Sequence, residues 1–319
     1  MATQSNYLVS AEYANQSNEI LFNKGKTFYW AKLFLSKHAA QQATRLYRFC
    51  RYIDDLADEA PDKTHALDCL NKIKAELNAG QSNDVIITDA LALFAECDIP
   101  AQIPIELING VLADLDLVRI KTEAQLLEYC YQVAGTVGIM MCKVLNVSDQ
   151  NALYHAIDLG IAMQLTNIAR DVYADALMDR IYLPESLTGT LTPDDVIALD
   201  DVNTVGDSNR TNLIQALEAL LKLADQYYAS GYAGLVHLPF RSRVSILIAA
   251  TLYQQIGFKI KHSHFNQLKT KVFVPLNMKL MLSIQVCFKA IFDRKFWFYN
   301  TIHHKPLHQH INKLPFCNG

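Results

Sequence analysis

Glycine is scarce in this chain, with 12 among 319 residues, and there are only 9 prolines and 2 tryptophans. Convincing runs of alternating β-branched residues are missing too, which excludes a sheet-based fold. The seven cysteines (Cys50, Cys69, Cys97, Cys130, Cys142, Cys287 and Cys317) form no CxxC pair and are odd in number. Their scatter suggests neither a disulfide framework nor a zinc site, and favours a reducing, cytoplasmic compartment. Charge is also in short supply, with a formal net of −3. A nucleic-acid partner or a general attraction to anionic membranes needs a strong positive excess, so any anion site must be local. No basic n-region followed by an apolar h-region marks a signal peptide. The apolar stretch 244–258 is interrupted by Thr251, Gln254 and Gln255 and falls short of the ~18 residues of a membrane span. The HExxH, G-x-S-x-G, P-loop and strand-led GxGxxG signatures are absent as well, which disfavours zinc proteases, serine hydrolases, P-loop NTPases and Rossmann dehydrogenases.

What is present is helical periodicity almost everywhere, with 51% hydrophobic residues, 15 Tyr and 14 Phe. An ordinary Leu/Ala-rich core and an interior that encloses a greasy ligand fit this composition equally well. The pattern predicts helices over 36–59, 64–79 (stopped by Gly80), 84–97, 104–118, 123–145 with Thr122 as N-cap, and 149–178 with Ser148 as N-cap. Residues 184–209 read as a loop holding a short helix that opens at Thr192-Pro193. Two further helices are expected over 211–231 and 239–261, with Gly231–Gly234 as a turn between them. No repeat or linker divides the chain, so one domain is expected over 1–290. The segment 291–319 and the residues just before it mix aromatics with Lys, Arg and His. That composition suits a membrane-surface segment or a frayed terminus.

Two acidic motifs carry the chemistry. In LYRFCRYIDDLADE, Asp54 and Asp58 stand four residues apart and project from one helical face. In QLTNIARDVYADA, Asn167, Asp171 and Asp175 repeat that spacing over two turns. Stacked carboxylates repel by a few tenths of a kcal/mol, a cost that solvated surface helices also tolerate. Here both stripes emerge from helices that are otherwise apolar, and buried carboxylates need a cation. Oxygen ligands without His or Cys favour Mg²⁺ or Mn²⁺ held jointly with phosphate oxygens. Arg51 and Arg170 are placed either to bind phosphate or to pair with neighbouring acids. In YCYQVAGTVGIMM, Gly135 and Gly138 each cost a helix about 1 kcal/mol relative to Ala. The compensation is either close helix packing or a flat wall for a hydrocarbon chain.

The chain resembles the squalene/phytoene synthase family over residues 24–275, and within it the bacterial enzymes of carotenoid pathways. The resemblance rests on the motifs at 46–59, 129–141, 164–176, 180–184 (RIYLP) and 227–243. It implies an all-α, isoprenoid-synthase-type bundle with a central prenyl-binding cavity. The implied reaction condenses two prenyl diphosphates head to head through a cyclopropyl diphosphate, with Mg²⁺ or Mn²⁺ as cofactor. Carried over residue by residue, it makes Asp54, Asp58, Asn167, Asp171 and Asp175 the metal and diphosphate ligands, with Arg51 also in the catalytic set. It makes Lys24, Lys26, Thr27, Tyr47, Tyr129, Gln164, Arg170, Tyr182 and Tyr253 substrate-contacting, and Phe28, Val133, Ala134, Val137 and Gly138 the prenyl wall. Two departures stand out. Gly25-Lys26-Thr27-Phe28 replaces the usual Ser-Lys-Ser-Phe, and Lys271 replaces an Arg, keeping charge while losing the bidentate fork. The product expected from the resemblance is phytoene, formed from geranylgeranyl diphosphate without NADPH. A squalene or dehydrosqualene synthase acting on farnesyl diphosphate, and a catalytically silent binding protein, are the alternatives.

Overall fold

Side-chain acceptors in the sequence decide where six of the helices begin. The computed structural model describes residues 19, 21, 22, 25–147, 149–199, 208–263, 269–298 and 303–318. A short α1 (Lys26–Lys32) leads into α2 (Lys37–Asp58), whose N-cap Ser36 accepts from the Ala39 amide. Asp62 caps α3 (Lys63–Ala79), which Gly80 ends at φ 68°. Asp84 caps α4 (Val85–Glu96), and α5 (Gln102–Ala113) follows. Each such cap contributes about 1 kcal/mol. Helix α5 stops earlier than its apolar pattern suggests. Asp114 is drawn to two tyrosine hydroxyls, and residues 118–120 turn away to form a bridge with Ile181.

The expected 123–145 helix is capped by Thr122 but is not continuous. It runs as α6 (Glu123–Cys130), a π-helical turn (Tyr131–Gly135) and α7 (Thr136–Val144). Such a turn is rare and re-aims the side chains that follow it. Helix α8 (Gln150–Leu177) is capped by Asp149, not by Ser148, which lies outside the described residues. Beyond it come α9 (Glu185–Thr188), α10 (Pro193–Ala198) with a Thr192/Asp195 capping box, and α11 (Ser208–Ala233). A 3-10 turn (Gly234–His237) leads to α12 (Phe240–His262). The Gly231–Gly234 stretch is therefore the end of one helix packed on α8, not a free turn. Helices α13 (Leu276–Phe292) and α14 (Arg294–Phe298) and a last 3-10 turn (Lys305–His308) complete the chain.

Helix α8 is the axis of a single all-α bundle, packed against α7, the π turn, α11 and α12. Two glycines set its distance from α7 and the π turn. A Cβ on Gly138 would stand 2.2 Å from the Ala156 carbonyl oxygen, and one on Gly160 would stand 2.3 Å from that of Ala134. The helices cross backbone to backbone, so the packing reading of Gly138 holds.

The C-terminal segment departs from expectation. Residues 303–318 are built into the bundle, with His303, His308, Ile311 and Cys317 buried. Three buried tyrosines of the bundle hold its backbone: Tyr227 donates to the Leu307 carbonyl, Tyr131 to that of Pro315 and Tyr154 to that of Asn318. A frayed end would leave those hydroxyls unsatisfied. The preceding α13 does expose one apolar face, with Leu280, Ile284, Phe288, Ile291 and Phe292 all more than half exposed. Among the described residues, no helix is long and apolar enough to cross a membrane.

Candidate active site

A cavity of about 360 Å³ runs along α8 between that helix, the π turn, α1, α2 and α12. Its lining along α8 extends from Ala152 to Asn167, roughly 22 Å at 1.5 Å per residue. The lining is mostly apolar, and ten of the residues singled out in the sequence meet there: Phe28, Tyr47, Asp54, Val133, Ala134, Val137, Gly138, Gln164, Asn167 and Tyr253. Gly138 is thus both a packing glycine and part of the cavity wall. Phe28, exposed on α1, closes an aromatic cluster with Tyr253 and Tyr47 at centroid distances of 5.2 and 6.3 Å. The Gly25 departure has a local cause, since a Cβ there would lie 2.8 Å from both Leu21 and the Tyr47 ring. Thr27 is half-buried on α1 beside Phe28, and Lys26 is exposed. Lys24 lies outside the described residues.

The two aspartate motifs meet at one end of this cavity. Burial pushes Asp54 up to about 7; Arg51 opposes this, while Asp58, Asp55 and Asp114 reinforce it. Asp175 is pushed up to about 7 as well, by burial and then by Asp171, with Arg180 acting against them and Asp114 with them. Asp114 acts on both motifs, so it lies between them. Its carboxylate accepts from Tyr182 at 2.7 Å and from Tyr129 at 2.9 Å, and those two rings stack at 4.9 Å. Tyr129 and Tyr182 are thus gathered at Asp114 and do not line this cavity.

The cations are distributed unevenly. Arg51 pairs with Asp55, and Arg170 pairs with its neighbour Asp171, with Nε 3.0 Å from Oδ1. Lys271 Nζ lies 3.2 Å from Asp171, and Arg180 lies 3.6 Å from the exposed Asp58. Among the described residues, Asp54, Asp114 and Asp175 have no ion-pair partner within 4 Å. Two buried polar atoms there lack a hydrogen-bond partner: the acceptor Asn167 Oδ1 and the donor Arg51 Nε. Orphaned groups of opposite kind beside surplus carboxylates fit a divalent cation together with an anion. A second sign of an anion is Lys279, buried on α13. Burial and the nearby Lys26 lower its pKa, so two ammonium groups are held close together.

Asp114 and Lys279 carry no signal in the sequence, and Arg180 opens the 180–184 motif without a role assigned to it. Asp114 has no i, i+4 acidic partner, Arg180 stands in a loop, and Lys279 lies beyond the motifs.

The squalene/phytoene synthase family model matches residues 21–278. The chain belongs to the squalene/phytoene synthase family. It is 34% identical over 266 residues to a phytoene synthase of Pseudescherichia vulneris, covering 77% of this chain and 82% of the relative. It is 36% identical over 243 residues to a phytoene synthase of Thermus thermophilus, covering 76% and 81%. Among solved structures it is similar to a dehydrosqualene synthase in complex with ligand. There the TM-score is 0.75 at 27% identity, over 90% of this chain and 99% of that one. A squalene synthase from Alicyclobacillus acidocaldarius shares the fold, with a TM-score of 0.68 at 21% identity. This squalene/phytoene synthase member thus carries the family's activity class, head-to-head prenyl transfer on prenyl diphosphates.

Proposed function

We propose that this chain is a phytoene synthase, joining two geranylgeranyl diphosphates head to head through prephytoene diphosphate. The observation that carries the reading is an apolar cavity whose one end holds Asp54, Asn167 and a surplus of carboxylates. The curated relatives at 30% identity or more that bear the name phytoene synthase support the C20 substrate. Magnesium or manganese, held by Asp54, Asp58, Asn167, Asp171 and Asp175, would supply positive charge to stabilise departing diphosphate.

The chain's own residues do the rest. Arg51, Arg170, Lys26, Lys271 and Lys279 bind and orient diphosphate oxygens, and Thr27 and Gln164 add neutral hydrogen bonds. Breaking the allylic C–O bond leaves its electron pair on the diphosphate and an allylic cation on the prenyl chain. The Phe28, Tyr47 and Tyr253 rings face that cation, while the dry wall of Val133, Ala134, Val137 and Gly138 keeps water away. The double bond of the second prenyl chain attacks that cation, and loss of a proton closes the cyclopropyl diphosphate. After the second diphosphate leaves and the skeleton rearranges, loss of a second proton gives the hydrocarbon. No hydride is consumed, so NADPH is not required.

A C30 reading, dehydrosqualene or squalene from farnesyl diphosphate, draws on the similarity to the dehydrosqualene synthase fold. Incubating the purified protein and Mg²⁺ with either diphosphate, with and without NADPH, separates the readings. Phytoene from the C20 substrate without NADPH is expected. A C30 product alone overturns the chain-length assignment, and no diphosphate release from either substrate overturns the enzyme reading. Asp171→Asn should lower turnover roughly 100-fold or more with the fold retained.

We also assign a cytoplasmic enzyme in peripheral contact with a lipid surface through the exposed face of α13. A hydrocarbon product needs an apolar phase to enter, and a half-buried amphipathic helix is suited to the headgroup boundary. Ile284→Glu/Phe288→Glu should abolish flotation with lipid vesicles while turnover in detergent persists. Equal flotation would remove this contact from the reading.

A further inference from the structure

Well away from the aspartate motifs, α8 buries a second acid. Asp158 is fully buried, and its charge is met by two histidines of the C-terminal segment. His303 Nε2 lies 2.7 Å from Asp158 Oδ2, and His308 Nε2 lies 2.8 Å from Oδ1. The three ligand atoms all fall within 4.8 Å of one another, and the cluster is capable of coordinating a divalent cation. No Lys or Arg pairs with Asp158 among the described residues.

We propose that Asp158, His303 and His308 bind one transition-metal ion of the zinc class, a structural clamp that fastens the C-terminal segment to the bundle. Two imidazole nitrogens and one carboxylate select a borderline cation such as Zn²⁺ or Co²⁺ over Mg²⁺, which prefers oxygen throughout. All three ligands are buried from solvent, which puts the ion out of a substrate's reach and suits a structural role, with a fourth position left for a further donor. A supporting contact is in place. The Ser230 hydroxyl donates to Asp158 Oδ2 and meets His155 Nδ1 at 2.8 Å, which fixes the carboxylate's orientation. The His308 ring is oriented through Nε2 alone, because its Nδ1 has no partner. Tetrahedral metal–ligand bonds of about 2.0–2.2 Å set ligand atoms about 3.3–3.6 Å apart, so His303 and His308 must each draw back from Asp158 by roughly 0.5–0.9 Å to admit the ion.

The clamp acts on the cavity from behind. His155 lines the cavity and is tied through Ser230 to Asp158, while Gly231 and Gly234, flanking this point, line it too. The segment that the ion would fasten also receives the Tyr131, Tyr154 and Tyr227 hydroxyls. This site is independent of the prenyl-transfer reading and of the Mg²⁺ ligands.

The test uses the full chain without an affinity tag, in excess Mg²⁺. Elemental analysis should find about one zinc or similar ion per chain after zinc loading. A chelator selective for zinc over magnesium should remove it, lower the thermal midpoint and expose the segment after residue 303 to protease. His303→Gln/His308→Gln should bind no zinc and melt at the same temperature with and without it. Should that variant not fold, cobalt loading of the wild-type chain decides the matter, because bound Co²⁺ must give visible ligand-field bands of a low-symmetry nitrogen/oxygen site. A wild-type chain that takes up no ion and gains no stability from zinc overturns the proposal and leaves a hydrogen-bonded Asp–His cluster. Stoichiometric zinc retained by the double variant overturns it as well.

Discussion

Replacing Gly138 by Ala adds a single methyl group at the crossing of α7 and α8, and its cost can be worked out from the backbone. The new Cβ would stand 2.2 Å from the Ala156 carbonyl oxygen, where ordinary contact begins at 3.4 Å. The two helices must part by about 1 Å, and no side-chain rotation relieves the clash because the obstacle is main chain. Overpacking of this kind costs roughly 1–3 kcal/mol, here toward the upper end. Ala gains about 1 kcal/mol over Gly in helix propensity, which offsets part of it. A net loss of about 2 kcal/mol is expected, read as a lower urea midpoint with an unchanged slope. Gly135→Ala is the internal control. Its Cβ would meet the side chains of Tyr131 at 3.1 Å and Ile157 at 3.3 Å, both able to yield, so a change within about 0.5 kcal/mol is expected. If Gly138→Ala proves as stable as the wild type, the close crossing does not exist as described and the glycine serves the cavity wall alone.

Two further outcomes follow from the carboxylates. The folded, metal-free protein retains protons on Asp54 and Asp175 up to about pH 7, whereas an unfolded chain releases them near pH 4. The folded state therefore binds more protons between those values, and metal-free stability falls as pH rises from about 4 through 7. Divalent metal competes with those protons, so the rise in melting temperature on adding Mg²⁺ should be larger at pH 8 than at pH 6; equal rises would refute the coupling. Asp114→Asn should lower kcat about tenfold with a smaller change in KM, because it loosens the Tyr129/Tyr182 pair without removing a substrate contact. Steady-state kinetics on the folded variant check this, and an unchanged kcat would make Asp114 a purely structural residue.

The parts of the site that could be read from sequence are those written locally. Asp54 with Asp58, and Asn167 with Asp171 and Asp175, lie one turn apart on one helix, so spacing and apolar surroundings suffice. Helix starts at Ser36, Thr122 and Thr192 were legible for the same reason, since a cap bonds two or three residues away. The π turn was not, because Tyr131–Gly135 keeps helical periodicity while inserting an extra residue into the hydrogen-bond pattern. Arg51 and Arg170 stayed ambiguous in the sequence. The structure pairs each with a neighbouring acid and still leaves Arg51 Nε without a partner. In the sequence the C-terminal histidines belong to a stretch that suits a membrane surface or a frayed terminus, because their partner, Asp158, lies 145 and 150 residues earlier and shows no acidic neighbour at helical spacing. Cysteine spacing, the signal consulted for zinc, says nothing about a centre built from imidazole and carboxylate.

The electrostatics of the aspartate end tie metal and substrate together. Asp54, Asp114 and Asp175 have no ion-pair partner among the described residues, and once Asp54 and Asp175 ionise above about pH 7 a diphosphate arriving alone is repelled more strongly in this partly dry site than in water. A divalent ion arriving alone fares little better. Among the described residues no three of these carboxylates bring oxygens within 4.8 Å of one another, so the protein does not supply a finished coordination shell. Mg²⁺ usually takes one or two carboxylates and completes its shell with water and phosphate oxygens. On the proposed function each ligand would provide what the other lacks: the ion would offset acid charge, and the diphosphate would supply the missing oxygens. Asn167 Oδ1 and Arg51 Nε are the protein atoms left open for that joint arrival, one suited to the cation and the other to the anion.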